Sequence, residues 1–290
     1  ESGTIIQGNT FDSAYSYALN IVDNNQVKLI GNTFKNVINP IGGNYQAQLL
    51  RCNGNIQVDR NYFGGINTEN SLLLNRCISS LNNESVVSNN MFVRGSGKGI
   101  YLDSTQFIKV VHNSLYFYSS SSANAGLFTS GTYNSNIQLL NNNIVMEGGD
   151  AIYIASGSQV SVSNYNNYFT KGTQFVYWGS NINNMSSLRS ASGQESRSMS
   201  VLPYFTSSTD LHIKNPLLKG AGIRVAEVKK DFDGELRDTL TPDIGADEFL
   251  LSKNYEVHGL IRKAATTNTV NINHLINNDK LFNKNFFLIN

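Results

Sequence analysis

Apolar and polar residues alternate in short runs along the chain up to about position 170, and the runs recur. One series reads Val27-Lys-Leu-Ile, Ile56-Gln-Val-Asp, Val86-Val-Ser, Ile108-Lys-Val-Val, Ile137-Gln-Leu-Leu and Val160-Ser-Val-Ser. Alternation over four or five residues predicts half-buried strands. A second series falls earlier in each unit: Gln48-Leu-Leu-Arg, Leu72-Leu-Leu-Asn, Gly99-Ile-Tyr-Leu, Gly126-Leu-Phe-Thr and Ala151-Ile-Tyr-Ile. A third runs through an asparagine that precedes a large apolar residue by two. Its instances are Asn9/Phe11, Asn32/Phe34, Asn61/Phe63, Asn90/Phe92, Asn113/Leu115, Asn143/Val145 and Asn167/Phe169. Subtracting successive asparagine numbers gives spacings of 23, 29, 29, 23, 30 and 24.

A period in the twenties marks a solenoid. Three short strands per coil predict an all-β fold, a right-handed parallel β-helix, with coils over 1–180. Leucine-rich spacing is absent, and a propeller blade needs about 40 residues. The asparagine is expected at a corner, where its amide can bond its own backbone or the asparagine of the next coil. The apolar residue after it is expected to point inward.

From about Asn181 the repeat weakens. Residues 181–249 contain Leu202-Pro-Tyr-Phe, Asp210-Leu-His-Ile, Pro216-Leu-Leu-Lys-Gly-Ala-Gly, Asp231-Phe-Asp-Gly-Glu-Leu-Arg and Pro242-Asp-Ile-Gly-Ala-Asp-Glu-Phe. This ordered series resembles the C-terminal end of secreted parallel β-helix proteins of Bacteroidetes type, many of them polysaccharide-lyase-like. The resemblance implies last coils and a cap, and a scaffold rather than an activity. A cap is also required physically, since an uncovered last coil leaves a strand edge open to association. Asp231, Asp233, Arg237, Asp243, Asp247 and Glu248 then read as an ion-paired plug. Residues 250–290 differ again: Thr269-Val-Asn-Ile-Asn-His-Leu-Ile-Asn-Asn-Asp resembles the early strands of bacterial immunoglobulin-like or cadherin-like tandem domains. That likeness implies the start of a further β-sandwich-like domain. With the repeat under way by Asn9, the chain reads as a segment of a longer protein.

Composition narrows the partners. The formal net charge is +1 and only 15% of residues are charged, which gives no electrostatic case for nucleic acid or an anionic membrane. No apolar run approaches the roughly 20 residues of a membrane-spanning helix, so no membrane insertion is expected, and no signal peptide is visible. Cys52 and Cys77 sit in matching Leu-Leu-Arg-Cys and Leu-Asn-Arg-Cys contexts. They are expected on neighbouring rungs, as two buried thiols or within reach of a disulfide.

Any chemistry must lie on the outward rows, since the repeat residues are committed to the coil. Aligning the second series by its cysteines predicts an outward row of Arg51, Arg76, Asp103, Thr129 and Ala155. Leu49, Leu74, Tyr101, Leu127 and Tyr153 run beside it, with Tyr177 and Trp178 on the next coil. Tyr101, Tyr153, Tyr177 and Trp178 form a candidate aromatic stripe for sugar rings, unless loops such as 119–122 cover it. Arg51, Arg76 and Asp103 complete the candidate carbohydrate site, with Arg76 and Asp103 read as an ion pair. A lyase needs a base and a charge neutraliser, often calcium held by several carboxylates, and no such cluster is visible in the coils. No cofactor is assigned and no catalytic residue is named. Calcium has a weak candidate at Asp231 and Asp233, where the full loop of alternating ligands is missing. His112, beside Asn113, reads as a turn residue, and no Gly-x-Ser-x-Gly or phosphate loop occurs. Asp12-Ser-Ala, Asp103-Ser-Thr and Asp238-Thr-Leu resemble the short O-glycosylation signal of exported Bacteroidetes proteins. The leading expectation is a non-catalytic segment of an exported or cell-surface protein, an adhesin or rigid spacer with carbohydrate binding. A polysaccharide lyase is the alternative.

Overall fold

The computed structural model describes residues 3–37, 45–65, 70–118 and 124–249, together with the strands Val257–Leu260 and Phe286–Ile289. The chain divides into two compact units, Glu1–Glu248 and Phe249–Asn290. In the second unit the two strands pair in parallel. The tandem-domain motif at 269–279 lies outside the described residues, as does the serine run at 119–122.

The first unit is a parallel β-solenoid of about six turns. Its first sheet stacks Ile5–Gln7, Lys28–Ile30, Gln57–Asp59, Ser85–Ser88, Gln106–Val111, Ser135–Leu140 and Val160–Asn164. The second stacks Thr10–Asp12, Thr33–Lys35, Tyr62–Gly64, Met91–Gly95, Ser114–Phe117, Asn143–Met146 and Asn167–Thr170. The third runs from Leu19–Val22 through Tyr45–Leu50, Asn70–Asn75, Ile100–Asp103, Ala125–Ser130 and Asp150–Ile154 to Val176–Trp178, closing with the antiparallel pair Asn181–Ile182. The three alternating series in the sequence are these three sheets.

The corner between the first two sheets explains the asparagine. Gly8, Gly31, Arg60, Asn89, His112, Asn141 and Tyr165 all have positive φ, between 54° and 68°. Each turns the chain sharply, and the next residue is a ladder asparagine. The Oδ1 of Asn32, Asn61, Asn90, Asn113, Asn142 and Asn166 accepts the backbone N–H of Asn9, Asn32, Asn61, Asn90, Asn113 and Asn142 respectively, at 2.8–3.2 Å. The Nδ2 of each buried member donates back to a carbonyl of the preceding coil, as Asn90 does to Val58 at 2.8 Å. The ladder thus satisfies backbone groups that a tight corner takes out of the sheet.

The last two members are Asn142 and Asn166, not Asn143 and Asn167. The inward residues are accordingly Ile144 and Tyr168, both buried in the core. Val145 and Phe169 lie in the outward file with Val93 and Tyr116. Asn143 and Asn167 make a separate bond to each other at 2.9 Å. Inside the corner, Phe11, Phe34, Phe63 and Phe92 stack with centroids 5.0, 4.7 and 4.6 Å apart, which follows from parallel in-register strands about 4.8 Å apart. Cys52 and Cys77 are buried free thiols.

The end of the rod is covered by the helix Met185–Ser192 and the residues after it. Asn184 caps the helix N-terminus through Ser187 N–H, Gly193 ends it at φ 65°, and Leu188 is its buried anchor. Ser198 Oγ accepts the N–H of Asn166 at 2.8 Å and so terminates the ladder. The buried Glu195 carboxylate receives the hydroxyls of Ser163, Ser198 and Tyr168.

The remainder, to Glu248, is not a plug over the last coil; it returns as a strap along the flank of the rod. Val225 and Val228 cover Val86, Val111 and Leu140 of the first sheet. Leu211, Ala246, Phe205 and Phe232 cover Tyr62, Met91, Val93 and Tyr116 of the second. Buried Arg237 pairs with Glu248 at 3.0 Å and donates to Asn89 Oδ1 at 2.8 Å and to the carbonyls of Gly245 and Ala246. Of the six residues read as a plug, Arg237 and Glu248 alone form a buried ion pair. Asp231 accepts N–H groups of Glu235 and Glu248, and Asp243 that of Gly220. Asp233 and Asp247 face His212 instead.

Candidate functional site on the third sheet

Strand register fixes what faces outward on the third sheet. Gln48, Leu73, Tyr101, Phe128, Tyr153 and Tyr177 form one file, flanked by inward Leu49, Leu74, Leu102 and Ile154. The aromatic stripe therefore holds Tyr101, Tyr153 and Tyr177 as expected. Phe128, absent from the expected stripe, completes it. Trp178 does not belong to it. It pairs with Ile154, is buried in the core, and its Nε1 edge lies under Gly157, where a Cβ would come within 2.5 Å.

The expected row Arg51, Arg76, Asp103, Thr129 and Ala155 is not a row. Arg51 and Arg76 occupy the corner after the strand, at φ 53°, and Ser104 and Gly131 are their counterparts on the next two coils. Asp103 lies one position earlier, in register with Asn75 and Ser130. Thr129 is buried and bonds Gln159 Oε1 at 2.7 Å. Leu49, Leu74 and Leu127 likewise point into the core. The Arg76–Asp103 ion pair is not formed: Asp103 accepts from Asn75 Nδ2 at 2.8 Å. Arg51 pairs instead with Asp23, through two bonds of 2.6 and 2.7 Å.

Within the aromatic file, Phe128–Tyr153 and Tyr153–Tyr177 stack at 4.4 and 4.3 Å, and Tyr101 meets Phe128 edge-on at 5.2 Å. Lys98 Nζ sits 4.7 Å from the Phe128 centroid and 5.2 Å from that of Tyr101, a cation over ring faces. Burial lowers the Lys98 pKa. The Tyr101 hydroxyl bonds Ser130 Oγ at 2.6 Å, and Tyr45 packs beside Tyr101 at 6.0 Å. Stacking occupies the ring faces, so the file offers half-exposed ring edges and phenol hydroxyls rather than open platforms.

Asp150 lies beside this file, in the same register row as Lys98 and Ala125. Burial pushes its pKa up to about 6, and its Oδ1 has no hydrogen-bond partner. That value lets it exchange a proton close to neutral pH. Nothing in the alternating pattern marked it, because it falls at a strand start.

His112 fills a positive-φ corner position, fully buried, with Nε2 at 2.8 Å from Asn141 Nδ2. Burial and Arg237 depress its pKa well below the ordinary value. It is the turn residue expected. Asp231 and Asp233 do not converge as a calcium loop, since Asp231 gives both oxygens to backbone N–H groups. No helix among the described residues is long and apolar enough to cross a membrane.

Fold and site together define a β-solenoid with an aromatic file on a face that, among the described residues, the strap does not cover. No protein-family model, no curated protein and no solved structure matches the chain.

Proposed function

We propose that this chain is a non-catalytic β-solenoid segment of a large exported or cell-surface protein, acting as an adhesin or rigid spacer that holds an extended glycan along its third sheet. The observation that carries this reading is the file of Tyr101, Phe128, Tyr153 and Tyr177 on a sheet that the strap leaves uncovered. Phenol hydroxyls donate to and accept from sugar hydroxyls, and ring edges pack against sugar C–H groups. The file repeats at the rung spacing, which suits a polymer lying along the rod. Export and further tandem domains rest on the sequence resemblances alone.

Affinity electrophoresis against neutral and uronate-containing polysaccharides tests the binding. At least one polymer should retard the native chain, and the double substitution Tyr153→Ala, Tyr177→Ala should abolish retardation while leaving far-UV circular dichroism unchanged. Retardation equal to the native chain's, or none with any polymer, rules the glycan reading out.

One observation favours the lyase alternative: Lys98, its pKa lowered by burial, stands 4.7 Å from the Phe128 ring beside the file. Lowering a lysine's pKa moves it toward the range in which an amine serves as a general base. Appearance of unsaturated products from a uronate polymer, lost in Lys98→Ala, would establish that chemistry in place of simple binding.

A further inference from the structure

We infer that His212, Asp233 and Asp247 form a divalent transition-metal site, of the zinc type, that pins the strap to itself. The three side chains come from separate segments of the strap, and their ligand atoms all lie within 4.8 Å of one another. Each segment is anchored. Leu211 and Ile213, on either side of His212, are buried. Asp233 sits in a tight turn closed by Gly234 at φ 86° and the Gly234 N–H bond to Asp231. Asp247 follows Ala246, whose N–H donates to Ser114 Oγ of the rod at 2.9 Å.

Two features go beyond a chance meeting of acids. Asp210 holds the Nδ1 side of the imidazole, so Nε2 is the nitrogen turned toward Asp233, at 2.7 Å. A carboxylate behind a histidine is the arrangement that fixes the tautomer and orientation of metal-bound imidazoles. The second feature is Asp247. It is only 7% exposed, yet its carboxylate accepts one long bond, from Ile213 N–H at 3.3 Å to Oδ2. Among the described residues no donor reaches its other oxygen, and the group is directed at His212 and Asp233.

Charge points the same way. Asp210, Asp233 and Asp247 surround one imidazole, with Asp231 also close enough to act on Asp247 and Lys214 acting on Asp210. Even with His212 protonated the three carboxylates are not neutralised. Replacing the Nε2 proton by a divalent cation removes one further negative charge from the cluster. One imidazole nitrogen and two carboxylate oxygens, with solvent completing the shell, suit zinc and its neighbours. Calcium prefers six to eight oxygens.

Isothermal titration of the full chain with zinc chloride at pH 7, with cobalt(II) absorption as a second probe, tests the site. One equivalent should bind, with release of protons as the imidazole gives its nitrogen to the metal, read from the dependence of heat on buffer ionisation. Proton release is what separates coordination at Nε2 from loose attraction to the acids. Asp247→Asn and His212→Gln should each weaken binding at least tenfold, and Asp210→Asn, which acts through the histidine, about tenfold. Circular dichroism of the variants identifies any that misfold, and the stoichiometry and proton count of the native chain stand without them. Absence of a stoichiometric site, binding without proton release, or folded Asp247→Asn and His212→Gln variants that bind as the native chain does would each overturn the proposal.

Discussion

Replacing Asn90 by alanine tests the corner ladder at its centre. Asn90 is fully buried. Its Oδ1 accepts the N–H of Asn61 at 2.9 Å and Asn61 Nδ2 at 3.0 Å, while its Nδ2 donates to the Val58 carbonyl at 2.8 Å and to Asn113 Oδ1 at 2.9 Å. Alanine leaves the Asn61 N–H without an acceptor and removes a donor from Val58. At about 1–3 kcal/mol for each buried polar group left unmatched, the loss should be about 3–5 kcal/mol. Asn90→Asp keeps the acceptor but turns the donor into a second acceptor facing two oxygens, so above the carboxylate pKa it should be no better than alanine. Asn9 supplies the control. It is exposed, and its side chain only donates, to Asn32 Oδ1 and the Gln7 carbonyl, so Asn9→Ala should stay within about 0.5 kcal/mol. Urea unfolding followed by far-UV circular dichroism, compared at equal slope, reads all three. A cost below about 1 kcal/mol for Asn90→Ala, or equal costs at positions 9 and 90, would refute the claim that the ladder stabilises the corner.

Arg237→Ala should destabilise by about 3–5 kcal/mol, because it strands buried Glu248 without its cation, and limited proteolysis should then cut first within the strap. Asp150→Asn carries a pH signature. Its folded pKa of about 6 lies above the unfolded value, so the native chain's stability from this group is present below about pH 4 and lost as pH rises through 6. The asparagine variant should therefore match the native chain at pH 4 and exceed it by about 1–2 kcal/mol at pH 8, with solvent screening reducing the full effect. For His212, burial opposes the charge but Asp210 and Asp233 prevail and raise its pKa to about 9. Without metal, its contribution should be complete below about pH 6.5 and fade through pH 9, a fade absent from His212→Gln in urea midpoints measured across that range.

The coil pattern and its three strands were legible in the sequence because each rung repeats one chemical demand. The failures came where that demand is met by neighbours. In Asn141-Asn-Asn and Asn166-Asn two asparagines satisfy the Asn-x-apolar pattern, and only the first of each pair joins the ladder. The spacing of 30 between Asn113 and Asn143 was the available signal, since Asn142 restores 29. On the third sheet the corner drifts by one and then two residues relative to the cysteine spacing, to Ser104 and Gly131. That drift turned inward residues out and hid Phe128. The flank strap was not legible, because its contacts join residues well over a hundred positions apart, as in Arg237 to Asn89. No local pattern encodes such a pairing.

The strap also explains which outward residues matter. Outward positions on the first two sheets are apolar at Val86, Val111, Leu140, Met91, Val93 and Tyr116, and read alone they resemble a binding surface. They are covered by Val225, Val228, Leu211 and Phe232, so their hydrophobicity is a consequence of internal packing. The third sheet shows the contrast. Its outward aromatics stack on one another along the rod, and among the described residues the strap clusters do not extend over them. Where no described element packs over the file, its hydroxyls and Lys98 are the polar groups that meet solvent. Phe128 has no hydroxyl, and it is the ring that lies closest under that cation. Sequence chemistry and solenoid geometry thus converge on one face of the rod, and the substitutions at Tyr153 and Tyr177 act there without touching the ladder or the strap.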